Sequence, residues 1–165
     1  MMPKNYRVLI KELRGEIEKL RRVKSEAAEA QVEFGGLTDA PAILKMRGIA
    51  SILADIYQGA EKAFLRVAKT TRESIPSGPD WHQALLNQMK REAPDLRPAV
   101  IQLETYTLLD DFRTLRHKVR HLYGFELKWD QLRPALEIAE QVVDAIVADL
   151  EAFCQWLDAL GDDDA

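Results

Sequence analysis

The chain has 165 residues, of which 47% are hydrophobic and 30% are charged, and its formal net charge is −4. A chain of this length suits one domain and buries roughly 70% of its unfolded surface, so its core needs no metal or disulfide. The acidic balance argues against a general nucleic-acid coat protein, which would be basic overall, but it does not exclude a local basic site.

Few features of the sequence bear on its compartment. The single cysteine, Cys154, cannot form an internal disulfide, which fits a reducing cytosol. No apolar run approaches the ~20 residues of a membrane span, and the first residues lack the apolar core of a signal peptide. We therefore expect a cytoplasmic protein without a membrane segment, in which Cys154 is a small core residue.

Helical periodicity dominates the first part of the chain. Apolar residues recur at steps of three or four over residues 9–27, which predicts a long amphipathic helix that ends near Phe34, before two glycines. A second helix, with its apolar stripe over residues 49–67, is predicted to follow after a cap at Thr38 or Asp39.

Prolines divide the middle of the chain. Residues 75–80, Ile-Pro-Ser-Gly-Pro-Asp, predict a loop, and Asp80 is predicted to cap a short helix over residues 81–91. Residues 93–95, Ala-Pro-Asp, interrupt the chain again. A further long helix is predicted over residues 96–122, with its proline tolerated in the first turn.

The last predicted helix opens at Asp130 and carries apolar residues at helical spacing as far as Leu160. No segment alternates with the two-residue period of a strand. The sequence therefore predicts an all-α fold, an up-and-down antiparallel bundle of four long helices and one short helix. We expect residues 1–160 to form a single domain and residues 161–165 to form an acidic C-terminal tail.

One short segment carries chemically useful side chains. Residues 116–123, Arg-His-Lys-Val-Arg-His-Leu-Tyr, contain an Arg-x4-His-x-Tyr pattern formed by Arg116, His121 and Tyr123. A guanidinium binds phosphate oxygens through a rigid fork of donors, and an imidazole transfers protons near neutral pH. The pattern favours chemistry at a phosphate.

The spacing of Arg116 and His121 constrains that chemistry. Five residues place their side chains ~140° apart on an α-helix, so they would not converge on one phosphate from a straight, isolated helix. Either the helix distorts before Gly124, or two copies of the chain share the site across a two-fold axis. A catalytic function thus predicts a homodimer.

Each of these residues also has a simpler interpretation. The arginines of this helix could form a solvated face that pairs with acids such as Asp110. His117 and His121 could bind a metal, but His82 is remote in the sequence and no second cysteine exists, so we expect no metal or other cofactor. Tyr123 could be a helix-end aromatic with its hydroxyl in water.

Three further residues, Tyr57, Glu61 and Trp81, are interpreted as packing and loop-anchoring residues rather than site residues. All three lie in the part of the chain that resembles a known family.

Residues 112–127 resemble the signature of the HEPN superfamily and are most similar to the HepT-like ribonuclease toxins. Residues 57–61, Tyr-Gln-Gly-Ala-Glu, and the Trp81-His82 pair are similar as well, so the resemblance spans roughly residues 45–150.

The resemblance implies an up-and-down helical bundle, usually dimeric, whose motif lies at the dimer cleft and cleaves RNA without a metal. It implies that His121 transfers a proton at the RNA 2′-hydroxyl or at the leaving oxygen, and that Arg116 stabilises the charge of the transition state. Tyr123 would position RNA or accept AMP. The possible auxiliary residues are Arg113, His117, Lys118 and Arg120.

The resemblance also implies a partner, a nucleotidyltransferase antitoxin of the MNT type. Transfer of AMP to Tyr123 would fill the RNA site and reverse its charge. Two hypotheses follow: an endoribonuclease toxin of a toxin–antitoxin pair, or a non-catalytic HEPN-fold subunit that presents substrate to a partner nucleotidyltransferase. The intact Arg-His-Tyr set favours the first, whereas a plain dimerisation module would leave the basic segment unexplained.

Overall fold

The computed structural model describes residues 4–162, and nearly all of them belong to helices or to short connections between them. No β-strand forms in this range, which confirms the all-α prediction. The elements are α1 (Lys4–Phe34), α2 (Ile43–Thr70), α3 (Trp81–Met89), α4 (Leu103–His121), a 3₁₀ turn (Gly124–Glu126) and α5 (Trp129–Asp162).

Ion pairs between α1 and α5 show the relative direction of these two helices. As residue numbers rise along α1, those of the partners on α5 fall, so the helices are antiparallel. All three pairs are largely exposed, and exposed pairs contribute little stability. They are Arg14–Asp158, Arg21–Glu151 and Lys24–Asp144.

Contacts also show that α2 is antiparallel to α1 and that α4 is antiparallel to α5. On α2, Arg66 pairs with Glu12 of α1, while Gly59 lies against Leu20. A Cβ on Gly59 would come within 2.8 Å of the Leu20 side chain, so glycine permits the close approach of the two helices. Just before the first residue of α4, Gln102 donates its backbone N–H to Asp149, in the second half of α5. The up-and-down bundle is confirmed.

The core consists of the predicted apolar stripes. Residues such as Leu13, Leu53, Phe64 and Ile146 are fully buried. Cys154 is also buried, as expected, and burial raises the pKa of its thiol to about 11. No helix within residues 4–162 combines the length and apolar character that crossing a bilayer requires.

The start of α4 corrects the sequence-based prediction. The helix begins at Leu103, not near residue 96, because Asp95 adopts a left-handed φ of 65° and Arg97 turns inward. The Arg97 guanidinium donates to the carboxylate of Glu73, to two backbone carbonyls of the loop and to one at the end of α3. Residues 90–102 therefore form a folded loop in place of two helical turns.

Helix ends differ from the predictions in smaller ways. The second helix begins at Ile43 after Ala42, so neither Thr38 nor Asp39 caps it. Asp80 does precede α3, but its side chain makes no capping hydrogen bond, and α3 ends at Met89. The last helix, α5, continues to Asp162, and the rest of the predicted acidic tail lies outside the described residues.

Candidate active site

An open depression of about 510 Å³ lies between the start of α3 and the last turns of α4. Five of the seven predicted site residues line it from α4, and two further polar side chains face them from α3. The lining residues are Pro79, Asp80, His82, Gln83, Arg113, Arg116, His117, Arg120 and His121.

Arg116 and His121 line this depression within one chain. The helix stays α-helical through His121, and Leu122 is the first extended residue, so no distortion precedes His121. The depression is wide enough to include both side chains despite their angular separation. A second copy is therefore not needed to place both groups on one concave surface, and dimerisation stays a prediction.

The arginines of the depression differ in their partners. Arg113 donates from Nε to Asp110 at 2.9 Å, as the solvated-face interpretation expects. Among residues 4–162, no carboxylate lies within ion-pairing distance of Arg116 or Arg120. The Arg116 guanidinium instead lies 5.9 Å from the centre of the Tyr57 ring. Two guanidiniums thus retain their donors for an anionic ligand.

His117 and His121 pack edge to face, with ring centres 4.3 Å apart. In the part of the chain that the structure describes, no group of three or more His, Cys, Asp or Glu side chains gathers to hold a metal ion. The guanidiniums beside these rings would also repel a divalent cation. The pair is therefore better suited to binding anions or moving protons.

His82 lines the depression but was not among the predicted site residues. Its Nδ1 lies 2.5 Å from a carboxylate oxygen of Glu61, which is only 6% exposed in the middle of α2. The Trp81 ring stacks on the imidazole with centres 3.7 Å apart. A buried glutamate beside an apolar stripe was the available signal, because such a carboxylate needs a partner. Its partner could not be read from the sequence, since 21 residues separate the two.

Tyr57 connects the two walls of the depression. Its hydroxyl donates to the backbone carbonyl of His82 at 3.5 Å, and its ring lies beneath Arg116. Burial, reinforced by the Glu61 carboxylate, raises the pKa of the Tyr57 phenol far above its ordinary value, although Arg113 and Arg116 oppose the shift. Tyr57 thus stays neutral, in agreement with its interpretation as a packing residue.

Two predicted site residues lie outside the depression. The Tyr123 side chain is 71% exposed beyond the end of α4, and its ring stacks in parallel on Phe125 at 5.4 Å. The backbone N–H of Tyr123 donates to the Glu126 carboxylate at 3.1 Å. Lys118 faces a separate groove between α4 and α5. The structure does not gather these residues with Arg116 and His121.

Arg47 is a second basic residue that the sequence analysis missed. Its guanidinium covers Gly124, where a Cβ would overlap with Arg47 Nε. Only glycine leaves room for this contact, which brings a cation from α2 to the turn that follows Tyr123.

Comparisons with known proteins identify the family of the chain. A family model described as HepT-like protein matches residues 48–157, two thirds of the chain, and this stretch includes every residue that lines the depression. No curated protein and no solved structure matches the chain. The family match confirms the resemblance drawn from the motif. The chain therefore belongs to the HepT-like family of the HEPN superfamily.

Proposed function

We propose that this protein is an endoribonuclease toxin that cleaves RNA in the depression between α3 and α4, without a metal cofactor. One observation carries this proposal most strongly. Arg116, which has no carboxylate partner in the described chain, lines the same concave surface as His121. A phosphate-binding cation and a proton-transfer group are thereby available to one bound phosphodiester.

The chemistry is an internal transesterification of RNA. The 2′-oxygen loses its proton and bonds to phosphorus, and the bond from phosphorus to the 5′-oxygen breaks, leaving a 2′,3′-cyclic phosphate and a 5′-hydroxyl. His121 transfers one of the two protons involved. Arg116 donates hydrogen bonds to the phosphoryl oxygens as negative charge accumulates on them. Arg113, Arg120 and His117 contribute positive charge and hydrogen bonds around the strand.

The cationic lining supports a metal-independent reaction. Arg116 and Arg120 place two positive charges without a carboxylate partner at the depression, and Arg113 adds a third that Asp110 partly offsets. These charges can make the electrostatic contribution that a metal ion would otherwise make. Lys118, on the other side of α4, takes no part.

Exposed apolar side chains at the end of the bundle that carries Tyr123 support a protein partner. The loop after α1 is joined to the start of α5 because Trp129 Nε1 donates to the Leu37 carbonyl at 3.0 Å. Tyr123 and Phe125 lie next to α2 at the same end of the bundle. The exposed large apolar side chains of these segments are Val32, Leu37, Ile43, Leu44, Tyr123 and Phe125.

These exposed side chains and the accessible Tyr123 hydroxyl fit neutralisation by a nucleotidyltransferase antitoxin that transfers AMP to Tyr123. The added phosphate would bring negative charge and bulk to the edge of the RNA site. The homodimer remains the expected assembly, and the cytoplasm, consistent with the single cysteine, the expected place of action.

The test is incubation of the purified protein with total cellular RNA in the presence of EDTA. We expect the parent to cleave, His121→Ala to lose roughly 10²- to 10⁴-fold in rate, and Lys118→Ala to cleave like the parent. Lys118→Ala is the matched control, because this residue lies on the same helix but outside the depression.

Mass spectrometry of the same samples tells the two hypotheses apart. No cleavage by a parent whose Tyr123 is unmodified would contradict the ribonuclease function and favour the binding-subunit hypothesis. If Tyr123 carries AMP, the protein is first prepared without its antitoxin, and the assay is repeated on the unmodified chain.

A further inference from the structure

Three imidazoles line the depression, and His82 is the one that faces it from a different wall than His117 and His121. It lies at the start of α3, whereas His121 ends α4, and both line the same depression. Neither the family match nor the Arg-x4-His-x-Tyr motif assigns a role to His82.

Two contacts hold the His82 imidazole in one orientation, and a third holds its backbone. Nδ1 lies 2.5 Å from the Glu61 carboxylate, the Trp81 ring stacks on one face, and Tyr57 donates to the backbone carbonyl of His82. A carboxylate accepts the proton of Nδ1, so this contact fixes the tautomer and leaves Nε2 as the exchangeable nitrogen. Enzymes use such a carboxylate to orient an imidazole that transfers protons.

Burial of the Glu61 carboxylate costs free energy of folding. A carboxylate that is 6% exposed loses most of its hydration, and a close hydrogen bond to an imidazole compensates for part of that loss. Replacing a buried ion pair by apolar residues of similar volume often leaves stability unchanged or higher, so such a pair is weak evidence of a role in stability. The buried carboxylate therefore points to a role in orienting His82 rather than in stabilising the fold.

RNA transesterification requires two proton transfers at opposite sides of one phosphorus. The attacking 2′-oxygen and the leaving 5′-oxygen lie roughly in line, so one imidazole cannot serve both at the same moment. His121 supplies one group from α4. Arg116 lies over the ring of Tyr57, whose hydroxyl donates to the backbone carbonyl of His82.

We propose that His82 is a catalytic residue that transfers the proton at the oxygen His121 does not serve, and that Glu61 is its positioning residue. This role presupposes the ribonuclease activity proposed above. One histidine starts neutral and takes the 2′-hydroxyl proton, and the other starts protonated and gives its proton to the 5′-oxygen. The protonation states of the two histidines are exchanged, and water restores them after product release.

His82→Asn separates proton transfer from structure. The asparagine amide can donate to Glu61 from nearly the position of Nδ1, but it has no group that exchanges a proton in place of Nε2. We expect His82→Asn and His82→Ala to lose rate equally, by roughly 10²- to 10⁴-fold, with thermal unfolding of His82→Asn like that of the parent. A merely structural role would leave His82→Asn as active as the parent.

A substrate with a bridging sulfur in place of the 5′-oxygen tests the division of roles. A thiolate leaves without being protonated, so this substrate needs no general acid. We expect it to restore cleavage to only one of the two variants, His82→Asn or His121→Ala. Restoration of both variants or of neither would overturn the assignment of separate acid and base.

Glu61→Gln tests the positioning role. The glutamine carbonyl still accepts from Nδ1 but carries no charge, so we expect kcat to fall by roughly 10-fold with KM unchanged. An unchanged kcat would contradict the role of Glu61. Cleavage by the parent and His82→Asn alike would overturn this inference alone, whereas no cleavage by the parent would overturn the ribonuclease function as well.

Discussion

Arg97 and Arg116 show two uses of the same side chain in one bundle. The Arg97 side chain is 1% exposed, and it binds both oxygens of the Glu73 carboxylate and three backbone carbonyls. Arg116 is half-buried at a depression, over the face of Tyr57, and no carboxylate of the described chain pairs with it. An arginine whose donors are satisfied holds the fold together, and one whose donors face an open surface can bind a ligand.

The pKa of Glu73 shows how well the surrounding donors satisfy the carboxylate that pairs with Arg97. Burial alone would raise its pKa, but hydrogen bonds from Arg97, Thr71 and Gln88 outweigh burial, so the pKa of Glu73 lies below its ordinary value. The loop from α3 to α4 is therefore fixed by an ion pair, and α4 starts at a defined position relative to α3. The depression depends on that position.

Removing Arg97 should have the largest effect on stability. Arg97→Ala leaves the Glu73 carboxylate buried without its partner, which costs about 3–5 kcal/mol in the free energy of unfolding. Urea denaturation measures this loss. The exposed side chain of Arg91, in the same loop, provides the control, since Arg91→Ala should change stability by less than about 0.5 kcal/mol.

Lowering the pH should reduce the difference in the free energy of unfolding between Arg97→Ala and the parent. The pKa of Glu73 is lowered in the folded parent, so its stabilising contribution is present above the ordinary value of 4.5 and is lost as pH falls through the lowered pKa. In the variant, protonation removes the unpaired charge instead. A difference in stability that stays constant from pH 7 to pH 3 would mean that the ion pair is not its source.

Removing Arg116 should affect catalysis and spare the fold. We expect Arg116→Ala to lose roughly 10²- to 10³-fold in single-turnover cleavage, about 2.7–4 kcal/mol, with stability within about 1 kcal/mol of the parent. Arg116→Lys should restore only part of the rate, because a lysine lacks the planar fork. Full activity of Arg116→Ala would contradict the role of Arg116 in binding the phosphate, which is what distinguishes it from Arg97.

The smallest expected effect is on the salt dependence of RNA affinity, in which Arg120→Ala and Lys118→Ala should differ. Arg120 lines the depression and Lys118 does not. A single-stranded phosphate contact contributes about 0.7 to the slope of log affinity against log salt, so Arg120→Ala should reduce the slope by about that amount. Lys118→Ala should leave it unchanged, and an equal reduction by both variants would argue for diffuse attraction.

The sequence predicted what depends on local periodicity. Apolar stripes identified the long helices because steps of three and four place residues on one face whatever the partner. Residue type and the Arg-x4-His-x-Tyr pattern singled out Arg116 and His121 as candidates, although helical spacing places them ~140° apart. That both side chains line one depression is known only from the structure.

What the sequence could not predict depends on contacts between distant segments. Glu73 and Arg97 are 24 residues apart, and their pairing overrides the helical pattern predicted from residue 96 onward. Glu61 and His82 are 21 residues apart, and only the packing of α3 on α2 joins them. Helical spacing likewise gave no means of placing Tyr123, because the chain leaves the helix at Leu122.

The first helix has a position that makes it useful in practice. It packs against α2 and α5, and none of the residues that line the depression belongs to it. Its outward face could therefore carry a dye, a surface tether or a fused reporter without touching bound RNA. Exposed residues such as Arg22 and Glu29 are suitable attachment points, so binding and cleavage could be followed on single immobilised molecules.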